Sequence, residues 1–331
     1  MRRCLCILLA NLVLLSAGCS AGVVPGEDPV VPAAPTEDPV VPSAPTEDLI
    51  VPSVPTTVPF SEPSLAPTTV YPTETTSPQE EPTAPKTYRI MFVGNSYTTY
   101  NQMPVGLFQN IAQSAGYDVE ILSVAKGGYY LRQYMDPVDP YCKMFENALL
   151  RTPAFDYVVL QAQSVVPALD DPSDFYDVIR VLSGKIQDVG SQPILYCTWG
   201  RKTGHSTLDK YGWTNESMTW RLAAAYTAIG EELHLPVAYV GLAFYDVYTN
   251  QSEIDLYRDD LSHPSYAGSY LAAATLVAKI FNDDLSKVTF TGDLSESEAR
   301  ILLEAARKAV FETPSIPDEY HVSSEGIGNL K

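Results

Sequence analysis

A serine directly after the first apolar run of the chain is a candidate nucleophile. Ser96 lies in the motif Gly-Asn-Ser-Tyr-Thr at 94–98, which follows the apolar run 88–93. A turn between a strand and a helix exposes a serine hydroxyl, and the glycine before it tolerates the tight geometry. The next helix is predicted to begin near Pro104, too late for Ser96 to be its cap. A plain turn with local hydrogen bonds from Asn95 and Ser96 is the alternative interpretation.

A histidine near the end of the chain is the candidate base. His263 is one of four histidines and lies in Asp-Asp-Leu-Ser-His-Pro at 259–264. Asp260 precedes it by one turn, so its carboxylate can meet Nδ1 of the imidazole, which leaves Nε2 free to take a serine proton. Asp, Ser and Pro are also common at helix N-termini, and Ser262 or Ser265 would cap a helix over 265–281. That alternative explains the serines and the proline but not the histidine.

Alternating strands and helices are predicted to position these two motifs. Short apolar runs at 88–93, 119–124, 157–160, 193–196 and 237–240 are typical of buried strands. Stretches with helical periodicity lie between them, for example over 175–186 and 218–233. This alternation predicts a parallel sheet covered by helices on both faces. Ligands in such sheets bind beyond the carboxyl ends of the strands, where both motifs fall.

Taken together, the two motifs resemble the first and last sequence blocks of the SGNH (GDSL-like) hydrolases. Gly-Asn-Ser follows the first strand, and Asp-x-x-His-Pro-Ser precedes the last core helix. The resemblance implies a flavodoxin-like three-layer α/β/α sandwich over 87–312 and an enzyme that removes acyl groups from esters without a cofactor. It assigns Ser96 as nucleophile, His263 as general base and then acid, and Asp260 as the carboxylate that orients the histidine.

The resemblance also implies an oxyanion hole built from three donors. One is the N–H of Ser96, and the second is a glycine N–H after the second strand, which Gly127 or Gly128 would supply. In most of the superfamily the third is an asparagine after the third strand. Here that strand is followed by Gln-Ala-Gln-Ser, as in a branch with the pattern Leu-Gln-x-Gln-Ser. We expect Gln163 to be the third donor, with Gln161 as the alternative.

Three further residues are expected at the rim of the substrate site. Asn95 adjoins the nucleophile, and Trp199 and His205 follow the fourth strand. Aromatic rings suit the apolar faces of sugars, although tryptophan is more often a packing residue. No spacing typical of metal ligands occurs in the sequence, so no metal site is expected.

The N-terminus predicts a secretory signal over residues 1–19. Arg2 and Arg3 precede an apolar run that is too short for a membrane span of about 20 residues. Small residues then lead to Cys19, which resembles the lipidated cysteine of the bacterial lipobox. The alternative is an ordinary signal peptide with a chance cysteine.

The segment 20–86 predicts a disordered tether, and 313–331 a flexible tail. A ten-residue pattern rich in proline recurs in the first of these. Proline at this density prevents regular hydrogen bonding and a packed core. A proline-rich ligand for a partner domain is the alternative interpretation of this segment.

These features predict an extracytoplasmic esterase, anchored through Cys19 to the outer face of a bacterial membrane and acting as a monomer. The expected substrate is an acyl ester, such as an acetyl group on a polysaccharide. A net charge of −19 argues against nucleic acid as a partner. The alternatives are a lipase, thioesterase or acyltransferase with the same triad, a carbohydrate-binding module that has lost catalysis, and a solute-binding lipoprotein.

Overall fold

A parallel sheet forms the centre of the part of the chain that the computed structural model describes, residues 86–324. Its strands are β1 (Thr87–Gly94), β2 (Asp118–Ala125), β3 (Tyr157–Leu160), β4 (Gln192–Tyr196) and β5 (Val237–Ala238). They lie in the order β2-β1-β3-β4-β5, and each neighbouring pair is parallel. This is the flavodoxin-like order, so the predicted fold class is confirmed. The predicted signal with Cys19, and the predicted tether up to residue 85, lie outside the described residues.

The interior strand β1 explains why both faces of the sheet are covered. Ile90 and Phe92 belong to one hydrophobic cluster, and Met91 and Val93 to another. All four side chains are fully buried. Since successive side chains of a strand point to opposite faces, four successive buried apolar residues require a helical layer on each side.

Helices supply these two layers. In chain order they are α1 (Ser96–Thr99), α2 (Gln109–Ala115), α3 (Pro140–Leu149), α4 (Ser173–Asp188), α5 (Ser206–Tyr211), α6 (Asn215–Leu233), α7 (Val240–Asn250), α8 (Tyr266–Phe281) and α9 (Glu296–Phe311). Helices α2, α7, α8 and α9 share a cluster with Phe92, whereas α3, α4 and α6 share one with Met91. Across residues 86–324, no helix is both long and apolar enough to cross a membrane.

One predicted boundary is wrong, and one is confirmed. The strand expected over 237–240 ends at Ala238, because the chain turns there and Val240 begins α7. A helical segment begins at Met103, as expected near Pro104, and continues into α2. The sequence did not predict the short helix α1, which begins at Ser96 itself. Asn95 caps this single turn, since its Oδ1 accepts a hydrogen bond from the backbone N–H of Tyr97 at 3.1 Å.

The structure also defines the state of two cysteines and the start of the C-terminal tail. Cys142 and Cys197 are free thiols, and both are buried. The tail predicted to be flexible over 313–331 is described as far as Ser324, which is 8% exposed and accepts a hydrogen bond from Arg180 at 3.0 Å through its carbonyl oxygen. This end of the described chain therefore packs against α4.

The close approach of α7 to the residues that follow β4 gives a stability prediction. An ideal Cβ at Gly241 would lie 2.2 Å from the carbonyl oxygen of Thr198. We expect Gly241→Ala to lower the free energy of unfolding by about 1–3 kcal/mol, because the helix or the strand must shift. Gly184→Ala in α4 is the control, since its added Cβ meets nothing within 4 Å. This change should raise stability by about 0.5–1 kcal/mol. Urea denaturation measures both, and equal effects would contradict the close approach.

Candidate active site

The turn that presents Ser96 is held from two neighbouring loops. The backbone N–H of Asn95 donates to Oε1 of Gln161 at 2.9 Å, and Asn95 Nδ2 donates to the carbonyl oxygen of Tyr129 at 3.0 Å. An ideal Cβ at Gly94 would lie 2.6 Å from the same Gln161 Oε1. Glycine therefore leaves the space in which the glutamine side chain supports the nucleophile turn.

Ser96, His263 and Asp260 form a continuous chain of hydrogen bonds. Ser96 Oγ lies 2.8 Å from His263 Nε2, and His263 Nδ1 lies 2.6 Å from Asp260 Oδ2. An ionised carboxylate only accepts hydrogen bonds, so Nδ1 carries the proton and Nε2 accepts from the serine hydroxyl. This is the arrangement in which a histidine can remove the proton of a nucleophilic serine.

Asp260 is held in its ionised form. Its other oxygen, Oδ1, accepts hydrogen bonds from the backbone N–H groups of Ser262 and His263, at 3.0 and 2.9 Å. Partial burial raises the pKa of Asp260, but the hydrogen bonds from His263 and Ser262 outweigh this, and the net pKa lies below the ordinary 3.8. The carboxylate is therefore negative at neutral pH and fixes both the tautomer and the orientation of His263.

Backbone donors surround Ser96. The N–H of Ser96 begins α1 and has no acceptor within that helix. Gly127 and Gly128 are exposed in a turn that the N–H of Tyr129 closes onto the carbonyl oxygen of Lys126 at 3.1 Å. The N–H of Lys126 donates to the carbonyl oxygen of Gly94 at 3.2 Å, which places this turn beside the end of β1. In the described part of the chain, the N–H groups of Gly127 and Gly128 meet no acceptor. Their role as oxyanion donors stays a prediction.

The side-chain amides of the two candidate glutamines form different hydrogen bonds. Gln161 is 1% exposed, and its Oε1 accepts from Asn95 and from Thr98 Oγ1 at 2.9 Å each. Its Nε2 donates to the carbonyl oxygen of Ala162. This bond uses one of the two amide hydrogens of a side chain that is almost fully buried. Gln161 therefore supports the nucleophile turn, and its role as an oxyanion donor stays a prediction.

Gln163 keeps a free donor. Its Oε1 accepts from the backbone N–H groups of Val165 and Val166, at 2.8 and 3.2 Å. These bonds fix the side chain at the start of a 3-10 turn, Val166–Ala168. Its amide nitrogen has no acceptor among residues 86–324. The prediction of Gln163 as the third donor therefore stays open to test.

Two predicted rim residues are buried instead. Asn95 is 5% exposed, and Trp199 is fully buried. The indole of Trp199 is stacked on Tyr97, with ring centroids 4.6 Å apart, and on Phe244 at 4.0 Å. Its Nε1 donates to the carbonyl oxygen of Ser262 at 3.1 Å. The rim predictions for Asn95 and Trp199 are wrong, because both side chains point into the protein and support the site.

His205 is half-buried and begins a helix. Its Nδ1 accepts from the backbone N–H of Thr207 at 3.0 Å, which caps α5. Burial, with a smaller contribution from the charge of Arg201, lowers the pKa of His205 below the ordinary 6.5. Contact between His205 and substrate stays a prediction. Nowhere in residues 86–324 do three His, Cys, Asp or Glu side chains cluster as metal ligands would.

Two residues of the site were missed by the sequence analysis. The ring of Tyr100 stacks on His263, with centroids 4.4 Å apart and an interplanar angle of 27°. Its spacing of four residues from Ser96 was the available signal, because a one-turn helix brings such positions to one side. Arg201 is the other, and it is 7% exposed beneath the segment that carries His263. A lone arginine in a loop gave no sequence signal.

The fold and the site are those of a three-layer α/β/α protein with a serine nucleophile motif, and comparisons with known proteins give the family. The sequence matches no protein-family model and no curated protein. A solved structure from Slackia heliotrinireducens, classified as an SGNH hydrolase, is 31% identical. The match covers 59% of this chain and 100% of that one, with a TM-score of 0.51.

A DUF4886 family protein from Bacteroides uniformis shares the fold at 15% identity. The match covers 71% of this chain and 99% of that one, with a TM-score of 0.57. From the first of these similarities, the chain belongs to the SGNH hydrolase family, and the resemblance stated from its motifs is confirmed. It is an ester-hydrolysing enzyme.

Replacement of the orienting carboxylate tests the geometry of this site. Asp260→Asn keeps the shape of the side chain but removes the charge that fixes the His263 tautomer. We expect turnover of an ester to fall by about 10³–10⁴-fold, with little change in KM. Asp259→Asn is the matched control, since Asp259 is exposed and its side chain forms no hydrogen bond or ion pair in the described part of the chain. Steady-state kinetics measure both variants, and equal losses would contradict the assigned role of Asp260.

Proposed function

We propose that this chain is a serine esterase in which Ser96 forms an acyl-enzyme. The observation that carries the proposal is the hydrogen-bonded chain from Ser96 through His263 to Asp260, with distances of 2.8 and 2.6 Å. Ser96 Oγ attacks the ester carbonyl carbon while His263 Nε2 takes its proton. His263 then returns the proton to the departing alcohol oxygen. In the second half, His263 removes a proton from water as the water oxygen attacks the acyl carbon. His263 then gives this proton to Ser96 Oγ as the bond between Oγ and the acyl carbon breaks, which releases the acid.

Charge on the carbonyl oxygen requires donors on the exposed side of the nucleophile turn. The proposed donors are the N–H of Ser96, the N–H of Gly127 or Gly128, and the amide nitrogen of Gln163. Each is free of an acceptor in the described residues. One such donor contributes a factor of about 10²–10³ in turnover.

An open site supports a small acyl group on a large alcohol. Ser96 is partly exposed, and the His263 side chain is 26% exposed. Cavities of about 650, 470 and 330 Å³ lie along α9, and neither Ser96 nor His263 lines any of them. A lipase binds a long acyl chain in an apolar cleft beside its serine. None of these three cavities could hold such a chain beside Ser96, which supports an O-acetyl group carried by a carbohydrate.

The proposed place of action is outside the cytoplasm. Arg2 and Arg3 precede a short apolar run that ends before Cys19. We propose that a lipid on Cys19 anchors the chain to the outer face of the bacterial cytoplasmic membrane. The proline-rich segment 20–86 would then hold the monomeric domain away from the membrane, where acylated polysaccharides are accessible.

Ester hydrolysis by the purified chain tests the proposal. We expect p-nitrophenyl acetate and acetylated xylan to be hydrolysed, and Ser96→Ala to reduce both rates to background. Ser252→Ala, at an exposed serine in a turn, is the control and should retain the parent rate. Release of p-nitrophenol and of acetate are the two readouts.

The outcome separates the parts of the proposal. Background rates in the parent on both substrates would contradict esterase activity and favour a binding module. Faster hydrolysis of p-nitrophenyl octanoate than of the acetate would contradict the preference for a small acyl group. Retained activity in Ser96→Ala would contradict the assignment of the nucleophile.

A further inference from the structure

A buried arginine next to the site has no carboxylate partner. Arg201 follows β4 and is 7% exposed. Its guanidinium forms no ion pair within residues 86–324, and its Nε has no hydrogen-bond acceptor there. Burying a charge without a partner is costly, so a residue of this kind needs a compensating role.

The guanidinium bridges two loops. Its Nη1 donates to Ser262 Oγ, and its Nη2 donates to Ser164 Oγ at 2.8 Å. Ser262 lies between Asp260 and His263 in the chain. Ser164 follows Gln163, the proposed third oxyanion donor. One planar group therefore touches the loop of the base and the loop after β3.

Ser262 is also tied to the nucleophile turn. Its Oγ lies 2.8 Å from the hydroxyl of Tyr97, the residue after Ser96. Its carbonyl oxygen accepts from Trp199 Nε1 at 3.1 Å. The guanidinium carbon of Arg201 lies 5.2 Å from the centroid of the Tyr97 ring, at a distance typical of a cation–π contact. Arg201, Tyr97 and Trp199 thus surround a single serine next to the base.

We infer that Arg201 is a positioning residue that, through Ser262, holds the segment carrying Asp260 and His263 in register with the nucleophile turn. The inference rests on the proposed function of that site. Arg201 does not touch Ser96 or His263, so it acts on their geometry. Burial, opposed by the negative charge of Asp260, lowers the pKa of Arg201 to about 10, so the side chain stays charged at neutral pH.

The planar guanidinium group, with its two terminal nitrogens, explains why arginine occupies this position. Two separate nitrogens reach hydroxyls on two loops at once, whereas a lysine ammonium is a single point of charge on a flexible stem. Loss of the bridge leaves the substrate-binding surface in place but frees the base to move. A displacement of about 1 Å costs on the order of 10²-fold in rate.

Kinetics of four variants test the inference. Arg201→Met should lower kcat by about 10²-fold and leave KM within about twofold, because the residue positions the base and does not bind substrate. Arg201→Lys should recover only part of the loss. Ser262→Ala should also lower kcat, and the double variant should lose less than the product of the two single losses, because both residues belong to one connection.

Arg180→Met is the matched control. Arg180 is a partly buried arginine on α4 that donates to Glu232 at 2.7 and 2.8 Å, away from the triad. It should lose stability but keep the parent kcat. Multiplicative losses in the Arg201 and Ser262 pair, or an equal fall in kcat for Arg180→Met, would overturn the inference.

Hydrogen exchange of the full chain gives a readout that does not depend on activity. Arg201→Met should speed exchange of backbone amides in 258–264 relative to the parent, and Arg180→Met should not. Unchanged exchange in this segment would overturn the inference even if turnover fell. If the parent itself proves inactive, the proposed function fails, and exchange in 258–264 still decides whether Arg201 holds this segment. Ser262→Ala serves in this measurement if Arg201→Met does not fold.

Discussion

The hydrogen bond from Ser96 to His263 joins two side chains that are 167 residues apart, at 2.8 Å. It exists only because the sheet brings the carboxyl end of β1 next to the segment before α8. A small shift of either segment would separate the nucleophile from its base. Buried hydrogen bonds near the site oppose such a shift. Gln161 forms them beneath the nucleophile turn, and Trp199 forms one beneath the segment that carries the base.

Buried polar groups at this end of the sheet are costly unless they are hydrogen-bonded, and here the bonds connect loops. Gln161 joins the loop after β3 to the turn after β1, and Trp199 joins the loop after β4 to Ser262. Arg201 adds a further connection between the same loops. The catalytic side chains can therefore stay partly exposed, because buried hydrogen bonds fix the segments that carry them.

Apolar periodicity was sufficient to predict the fold, because buried parallel strands are apolar at every position and helices carry a stripe. The contact of Asp260 with His263 was predictable, because three residues separate them and one turn can join them. The pairing of Ser96 with His263 came from the resemblance of the two motifs to the SGNH hydrolases. The role of Gln161 beneath the nucleophile turn was not predictable, because that contact joins the segment after β3 to the turn after β1. Trp199 was misplaced, since a position after a strand does not decide whether a side chain points inward. Arg201 acts through contacts between distant segments, which sequence spacing does not contain.

The central claim is that Ser96 is a nucleophile activated by His263. Incubation of the purified chain with a fluorophosphonate, followed by mass spectrometry of its peptides, tests this most directly. The account predicts one phosphonyl group, attached to Oγ of Ser96 with loss of fluoride, and much slower attachment in His263→Ala. A chain that stays unmodified, or one that is modified at another serine, would contradict it.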